Sequence, residues 1–474
     1  MKFVSAGAAA GAIAILTCPD AAKADEQAAT NGDVVIEDHS EGLAEGADAV
    51  EAETKPKYER QYFGATGTNY AGNIRYSSSE VYVPETEEEV VQFIKNTEDK
   101  QFKAIGDRRA TSDIADTDGV HISLEKFKSI EIDTLERTVT FGAGVTFAEL
   151  IEFLKGHKMA LYNVPEFTSA NVVSAVVSGN IGTNQSTIAH RVYDLRLVNP
   201  NGDIQILELE DVDFKYYLHA FGALGVITEM SLEILDEFAV KKCIYEGVSW
   251  ELMASSERYI QALNSSNDSL SFFSDWSGPY FNSVWTGEHV FEKVREDLLT
   301  KSYDEVCVED FYGGKLVERA HPIPGNDVSN VTSSGWGLWY DKLPHFKEDE
   351  QGMGFQSEFF VKVAEFPSVM NILTDMHELI GELVLTSEFR PVNADDIPFS
   401  PAYKQKMVML SFTWKNRPKQ VGQALFLINS ALAKFNPKHN FGKSIFTLDT
   451  KYFNKVYPEE DLERLREMIE AFDT

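Results

Sequence analysis

The sequence predicts an α+β fold of two domains, and three observations predict it. From residue 61 to about 237, short β-rich apolar runs alternate with helical patterns, as in small sheets that carry helices. From 238 to 436 the strand candidates lengthen and are interleaved with amphipathic helices, which fits a large antiparallel sheet covered by helices on one face. A chain of 474 residues is long enough to bury two cores, and a hydrophobic fraction of 43% is that of a folded protein.

The elements follow in order. Lys2, an apolar run over 3–16 and the small-residue pattern Ala22-Lys23-Ala24 read as a signal peptide over residues 1–24. Residues 25–60 read as an acidic, disordered linker. Glu80-Val81-Tyr82-Val83 predicts a strand, and Thr86 followed by Glu89 predicts a capped helix through Ile94. Strands are expected at 120–124 and 138–141, and a helix at 147–154. In the second half, strands are expected at 240–245, 358–363 and 408–414, with helices at 369–379 and 420–435. A last helix, acidic in its first turn, is expected over 458–472.

The net charge of -32 makes phosphate backbones and anionic membranes poor partners. No run after the signal reaches the ~18 apolar residues that span a bilayer, so the expected product is soluble and exported to periplasm, extracellular space or organelle lumen. Cys243 and Cys307 allow either one disulfide or two buried thiols. Sequons at Asn264, Asn267 and Asn330 allow glycosylation if the source is eukaryotic. No metal site is assigned.

Four segments carry glycine turns in series. In the first, a strand ends at Gly106 and enters the polar turn Asp107-Arg108-Arg109-Ala110-Thr111-Ser112-Asp113. Such a turn can present backbone N–H groups and arginine to a diphosphate. The second is Gly142-Ala143-Gly144 before a helix. The third runs from Asn171 to Gly179-Asn180-Ile181-Gly182-Thr183-Asn184. The fourth, Gly222-Ala223-Leu224-Gly225, leads into Val226-Ile227. Any one of them is also what an ordinary surface loop looks like; together they form an ordered set.

That set resembles the flavin-binding domain of the vanillyl-alcohol oxidase superfamily, in the alditol oxidase and D-arabinono-1,4-lactone oxidase branch. Gly106, Asp113-Ile114-Ala115, Thr117 and Gly119 match the family's first loop, and Asn69-Tyr70-Ala71-Gly72-Asn73 resembles its N-terminal opening. The resemblance implies a PCMH-type FAD-binding domain over 61–237 and a substrate domain over 238–436. It also implies a C-terminal segment, 437–474, that returns to the FAD domain. The implied FAD contacts are Gly106, Asp107, Arg108, Arg109, Ala110, Thr111, Asp113, Gly179, Ile181, Gly182, Thr183, Val226, Ile227 and Lys443. In the substrate half, Glu388 and Arg390 stand two apart on one strand face. Glu388, Arg390 and Lys443 are the implied catalytic residues, with Gln356, Thr413 and Asn171 binding substrate. A carboxylate accepts hydroxyl hydrogens, a guanidinium donates to the oxygen being oxidised, and a lysine at the flavin stabilises its reduced anion.

The pattern departs from the family mainly at the cofactor. Arg109 stands where relatives carry the histidine that bonds to flavin, Ala110 follows it, and Ile181, Ser174 and Ser411 replace a histidine, a glycine and a histidine. The family's Pro-x-Gly-Lys-Phe-like tail has no counterpart after Phe472. The expected function is therefore FAD-dependent oxidation of a CH–OH group in a polyol, sugar acid or aldonolactone, with oxygen as acceptor and FAD held without a covalent bond. The alternatives are a dehydrogenase that excludes oxygen and a catalytically silent, secreted sugar-binding protein.

Overall fold

The computed structural model describes residues 61–62, 67–97, 101–265, 268–291, 296–347, 354–443 and 450–472. The expected signal peptide, the acidic linker and the sequon residue Asn267 lie outside them.

The first half builds two small sheets around one core. In the first sheet, Glu80–Tyr82 and Phe102–Ile105 flank Val120–Ser123 in parallel, and Gln61–Tyr62 adds an antiparallel edge. The second is wholly antiparallel, in the order Ile130–Asp133, Thr138–Gly142, Val226–Glu233, Val192–Val198, Ile204–Glu208. Helix Glu87–Asn96 starts where Thr86 accepts from the Glu89 amide, and it buries Val90, Val91, Phe93 and Ile94. Helix Phe147–Gly156 starts from a full capping box between Thr146 and Glu149 and buries Phe147, Leu150, Ile151 and Leu154. Both apolar faces enter a core that spans the two sheets.

The second half is a ten-stranded sheet with Val384–Val392 near its middle, between Ser269–Ser274 and Met407–Trp414. Strand Gln356–Lys362 lies beyond Met407–Trp414 and pairs in turn with Lys438–His439. One face of these strands presents Phe359, Phe389 and Phe412 to a core shared with helices Phe366–Asp375 and Pro418–Leu432. The opposite face carries Gln356, Glu358, Ser411, Thr413, Glu388 and Arg390, because residues two apart share a face and opposed partners share it too. The polar face looks toward the first half.

The helix expected over 369–379 is two helices, Phe366–Asp375 and His377–Leu383, separated at Met376. Pro367 sits in the first turn and starts the first helix earlier than expected. The C-terminal helices Thr450–Val456 and Glu459–Glu470 pack through Phe453, Tyr457, Leu462 and Leu465 against Ile114, Ala223, Leu224 and Phe441. That third core ties the chain's end to the turn after Gly106. Cys243 and Cys307 are joined by a disulfide, which decides between the two options the sequence allowed.

Candidate functional site

The turn after strand Phe102–Ile105 is fixed from behind. Asn69 Nδ2 donates to Ala110 O at 2.8 Å and Asn73 Nδ2 to Thr111 O at 2.8 Å, while Tyr70 N donates to Arg108 O at 2.9 Å. The 69–73 segment thus ties back the turn's carbonyls. Thr111 is bound twice more: its N–H donates to Gly442 O at 2.9 Å and its hydroxyl to Gln356 O at 2.8 Å. Arg108 adopts a left-handed backbone (φ 61°), an uncommon conformation for a long side chain, and Nη1 donates to Thr68 O at 3.1 Å.

Arg109 folds along the wall. Nε donates to Asp107 Oδ2 at 2.7 Å, Nη2 bonds Ser169 Oγ, and the guanidinium lies 4.5 Å from the Tyr70 ring centroid. Gly106 has no room for a side chain, since an added Cβ would sit 2.0 Å from Ser174 Oγ.

Across from this turn lies the polar face of the large sheet. Arg390, 3% exposed, donates through Nη2 to Ile181 O at 2.8 Å; its Nη1 is 3.5 Å from Glu388 and Nη2 is 3.8 Å from Glu166. Arg390 Nε and Nη1 and Glu388 Oε1 are buried without a hydrogen-bond partner. Lys443 Nζ donates to Gln356 Oε1 at 2.5 Å and lies 3.9 Å from Glu358, and Gln356 Nε2 donates to Thr413 Oγ1 at 3.3 Å.

One cleft of about 1430 Å³, part of it open to solvent, joins the two sides. Of the residues expected at a site, Gly106 through Thr111, Asn171, Ile181, Gln356, Arg390 and Lys443 line it. Glu388 and Thr413 stand just behind, each in contact with a residue that does. The others lie in the framework. Gly182 packs against Asn163, and Thr183 bonds Val164 O at 3.3 Å. Gly179 O accepts from Asn440 at 3.3 Å. Val226 and Ile227 pair with Val198 and Leu197 inside a sheet, and Asp113 opens a 3-10 turn.

Asn171 reaches the cleft wall, but its side chain is committed to structure. Oδ1 caps helix Val172–Val177 through Ser174 N at 2.8 Å, and Nδ2 donates to Ala143 O at 2.7 Å. Both polar atoms of that side chain are thus engaged within the protein.

Sequence reasoning gave no site role to several charged or hydroxyl groups in the lining, among them Lys103, Glu166, Ser174 and Glu358. Glu358 had a signal, because it stands two residues beyond Gln356 on the same strand face. Burial, with Glu388 close by, pushes the Glu166 carboxyl up to about 8 against the pull of Arg390. Burial pushes Lys103 down to about 8 and holds the His345 ring well below its usual range. Glu166, His345 and Glu388 bring ligand atoms within 4.8 Å of one another. The Arg390 guanidinium is already the cation between the two carboxylates.

A glycine-led turn with two arginines thus faces a polar sheet across one cleft, and residues 79–208 match the FAD binding domain family. Over most of its length the chain is similar to oxidases of alditols and aldonolactones. It is 27% identical over 407 residues to alditol oxidase of a Streptomyces species, covering 82% of this chain and 92% of the relative. D-arabinono-1,4-lactone oxidase of Candida albicans is 22% identical over 399 residues, 74% of this chain and 70% of the relative. The xylooligosaccharide oxidase of Myceliophthora thermophila C1, solved with xylobiose, aligns with TM-score 0.65 at 12% identity over 86% of this chain and 92% of that one. At that identity the likeness is one of fold. Among the described residues no helix is long and apolar enough to cross a membrane.

Proposed function

We propose that the protein is an FAD-dependent oxidase of a CH–OH group in a polyol or aldonolactone, using oxygen as acceptor and holding FAD without a covalent bond. The observation that carries this reading is the meeting, across one cleft, of the Gly106–Thr111 turn with Arg390 and Lys443. Relatives that are oxidases of alditols and aldonolactones support it, and they disfavour a silent binding protein.

The residues present fit the cofactor. Gly106 keeps its Cβ-free surface against Ser174, and the turn's carbonyls are drawn off by Asn69 and Asn73, so amide groups can serve a diphosphate. Arg108 and Arg109 supply positive charge beside it. Arg109 has no atom that can form the histidine's bond to flavin, which supports non-covalent binding. Bound FAD would supply the two-electron acceptor for substrate hydrogen.

The protein's own part is orientation and charge. Arg390 Nε is a desolvated donor with no hydrogen bond, and Nη1 and Glu388 Oε1 make only a 3.5 Å ion pair with each other, so all three can still bond a substrate hydroxyl. Together they would fix the reacting alcohol, with Gln356 and Thr413 holding a neighbouring hydroxyl. Lys443, at 18% side-chain exposure, would oppose negative charge developing on the acceptor. The Cys243–Cys307 disulfide supports an exported, oxidising location, in line with the signal-like N-terminus.

The test is a visible spectrum of the native protein followed by acid precipitation. Flavin absorption that passes into the supernatant is expected. Colourless protein that takes up no added FAD would overturn the enzyme reading, and colour retained in the pellet would overturn non-covalent attachment.

A further inference from the structure

Glu166 is the one ionisable side chain between Asn163 and Asn171, and it reaches the cleft from the FAD-domain side. Its position is pinned. Its carbonyl accepts from Phe346 N at 3.4 Å, and the next residue, Phe167, stacks on Phe346 with centroids 4.6 Å apart and planes 2° from parallel. Pro165 precedes it and narrows the backbone choice further. Arg390 consequently lies between two carboxylates, Glu388 from its own strand at 3.5 Å and Glu166 from the opposite wall at 3.8 Å.

We propose that Glu166 is a specificity-determining residue: with Glu388 it claims the Arg390 guanidinium, so that the cleft takes uncharged polyols and lactones and rejects sugar acids. This rests on reading the cleft as a polyol site. A substrate carboxylate would add negative charge to a guanidinium that already faces two acidic side chains. The other groups facing Glu166 do not relieve this. Lys443 already lies 3.9 Å from Glu358, and burial disfavours the charged forms of both His345 and Lys242. Uncharged hydroxyls meet no such repulsion, and they can accept a hydrogen bond from Arg390 Nε, which makes none within the protein.

The carboxyl pair also sets how rejection varies with pH. With Glu166 pushed up to about 8, its carboxyl is largely protonated at neutral pH and adds little charge beside Arg390. Ionisation above that pH adds a negative charge. Discrimination against acids therefore deepens as pH rises through about 8.

The experiment is calorimetric binding of xylitol and of xylonate, its carboxylate counterpart, to the flavoprotein and to its Glu166→Gln and Glu166→Asp variants between pH 6 and pH 9. The wild type is expected to bind xylonate at least about tenfold more weakly than xylitol at pH 7, as one uncompensated charge requires, with a wider gap at pH 9. In Glu166→Gln the xylonate affinity at pH 9 should rise about tenfold, to its pH 7 value, and lose its dependence on pH, while xylitol changes less than about threefold. Glu166→Asp, which keeps an ionisable carboxyl, should keep the wider gap at pH 9. Xylonate affinity at pH 9 unchanged in Glu166→Gln, with xylitol still bound, overturns the role of Glu166 and leaves the polyol site standing. Failure of both ligands to bind the wild type overturns the polyol site and the role of Glu166 with it.

Discussion

Gly182→Ala tests whether this glycine serves cofactor or framework. Gly182 is not in a left-handed conformation, so alanine is allowed there by the backbone and the effect is steric. A Cβ would lie 2.1 Å from Asn163 Oδ1, 2.2 Å from Cγ and 2.3 Å from Nδ2, so the whole amide must leave. Asn163 is buried and holds two groups: Nδ2 donates to Ser186 O at 2.7 Å, and Oδ1 accepts from Asn184 N at 2.9 Å. Two lost bonds at about 1 kcal/mol each, plus a buried Asn184 N–H left unpaired at about 1–3 kcal/mol, give roughly 3–5 kcal/mol. The preceding Ile181 carbonyl anchors Arg390, so substrate affinity should fall as well. The assay is urea unfolding of Gly182→Ala, Asn163→Ala and the double variant, read as a double-mutant cycle. Once the amide is gone the new methyl has space, so the double variant should be no less stable than Asn163→Ala alone. Full additivity of the two losses, or a Gly182→Ala protein as stable as wild type, refutes the argument.

Lys443→Met should lower kcat about 10²–10³-fold, as removal of one charge-stabilising group does. FAD content and substrate affinity should change little, and anaerobic flavin reduction followed by stopped flow separates these effects. Replacing Cys243 and Cys307 by serine opens a loop of 64 residues, which should cost about 4 kcal/mol. The unfolding midpoint should fall to that of reduced wild type, and an unchanged midpoint would mean that the bond does not form.

What the sequence revealed of the fold was mostly local. Thr86 with Glu89 and Thr146 with Glu149 announce helix starts within four residues, and the structure forms both caps. The break at Met376 carries no proline or glycine at the junction, so nothing local announces it. Instead, Gly381 in the second helix comes close to Asp275 and Trp276: a Cβ there would be 3.2 Å from Asp275 O. That helix is placed by packing against a distant loop, and such placement overrides periodicity. The order of the ten strands is likewise set by contacts between segments more than a hundred residues apart, such as Phe272 with Phe389.

The site divides along the same line. Glu388 and Arg390 were legible because strand geometry alone puts residues two apart on one face. Glycines were legible as turn formers and ambiguous as to cause. Gly106 faces the cleft, while Gly182 makes room for the protein's own Asn163, and both look alike in sequence. Asn171 is subject to the same ambiguity, since an amide that caps a helix and one that binds a hydroxyl are the same residue type. Glu166 lay beyond local reasoning altogether. Its chemistry comes from Arg390 and Glu388, more than two hundred residues later, and from the Phe167–Phe346 stack that holds its loop in place. A carboxylate on a loop reads as solvated until the opposite wall is known; here that wall is a buried guanidinium, and the same side chain becomes part of the cleft lining.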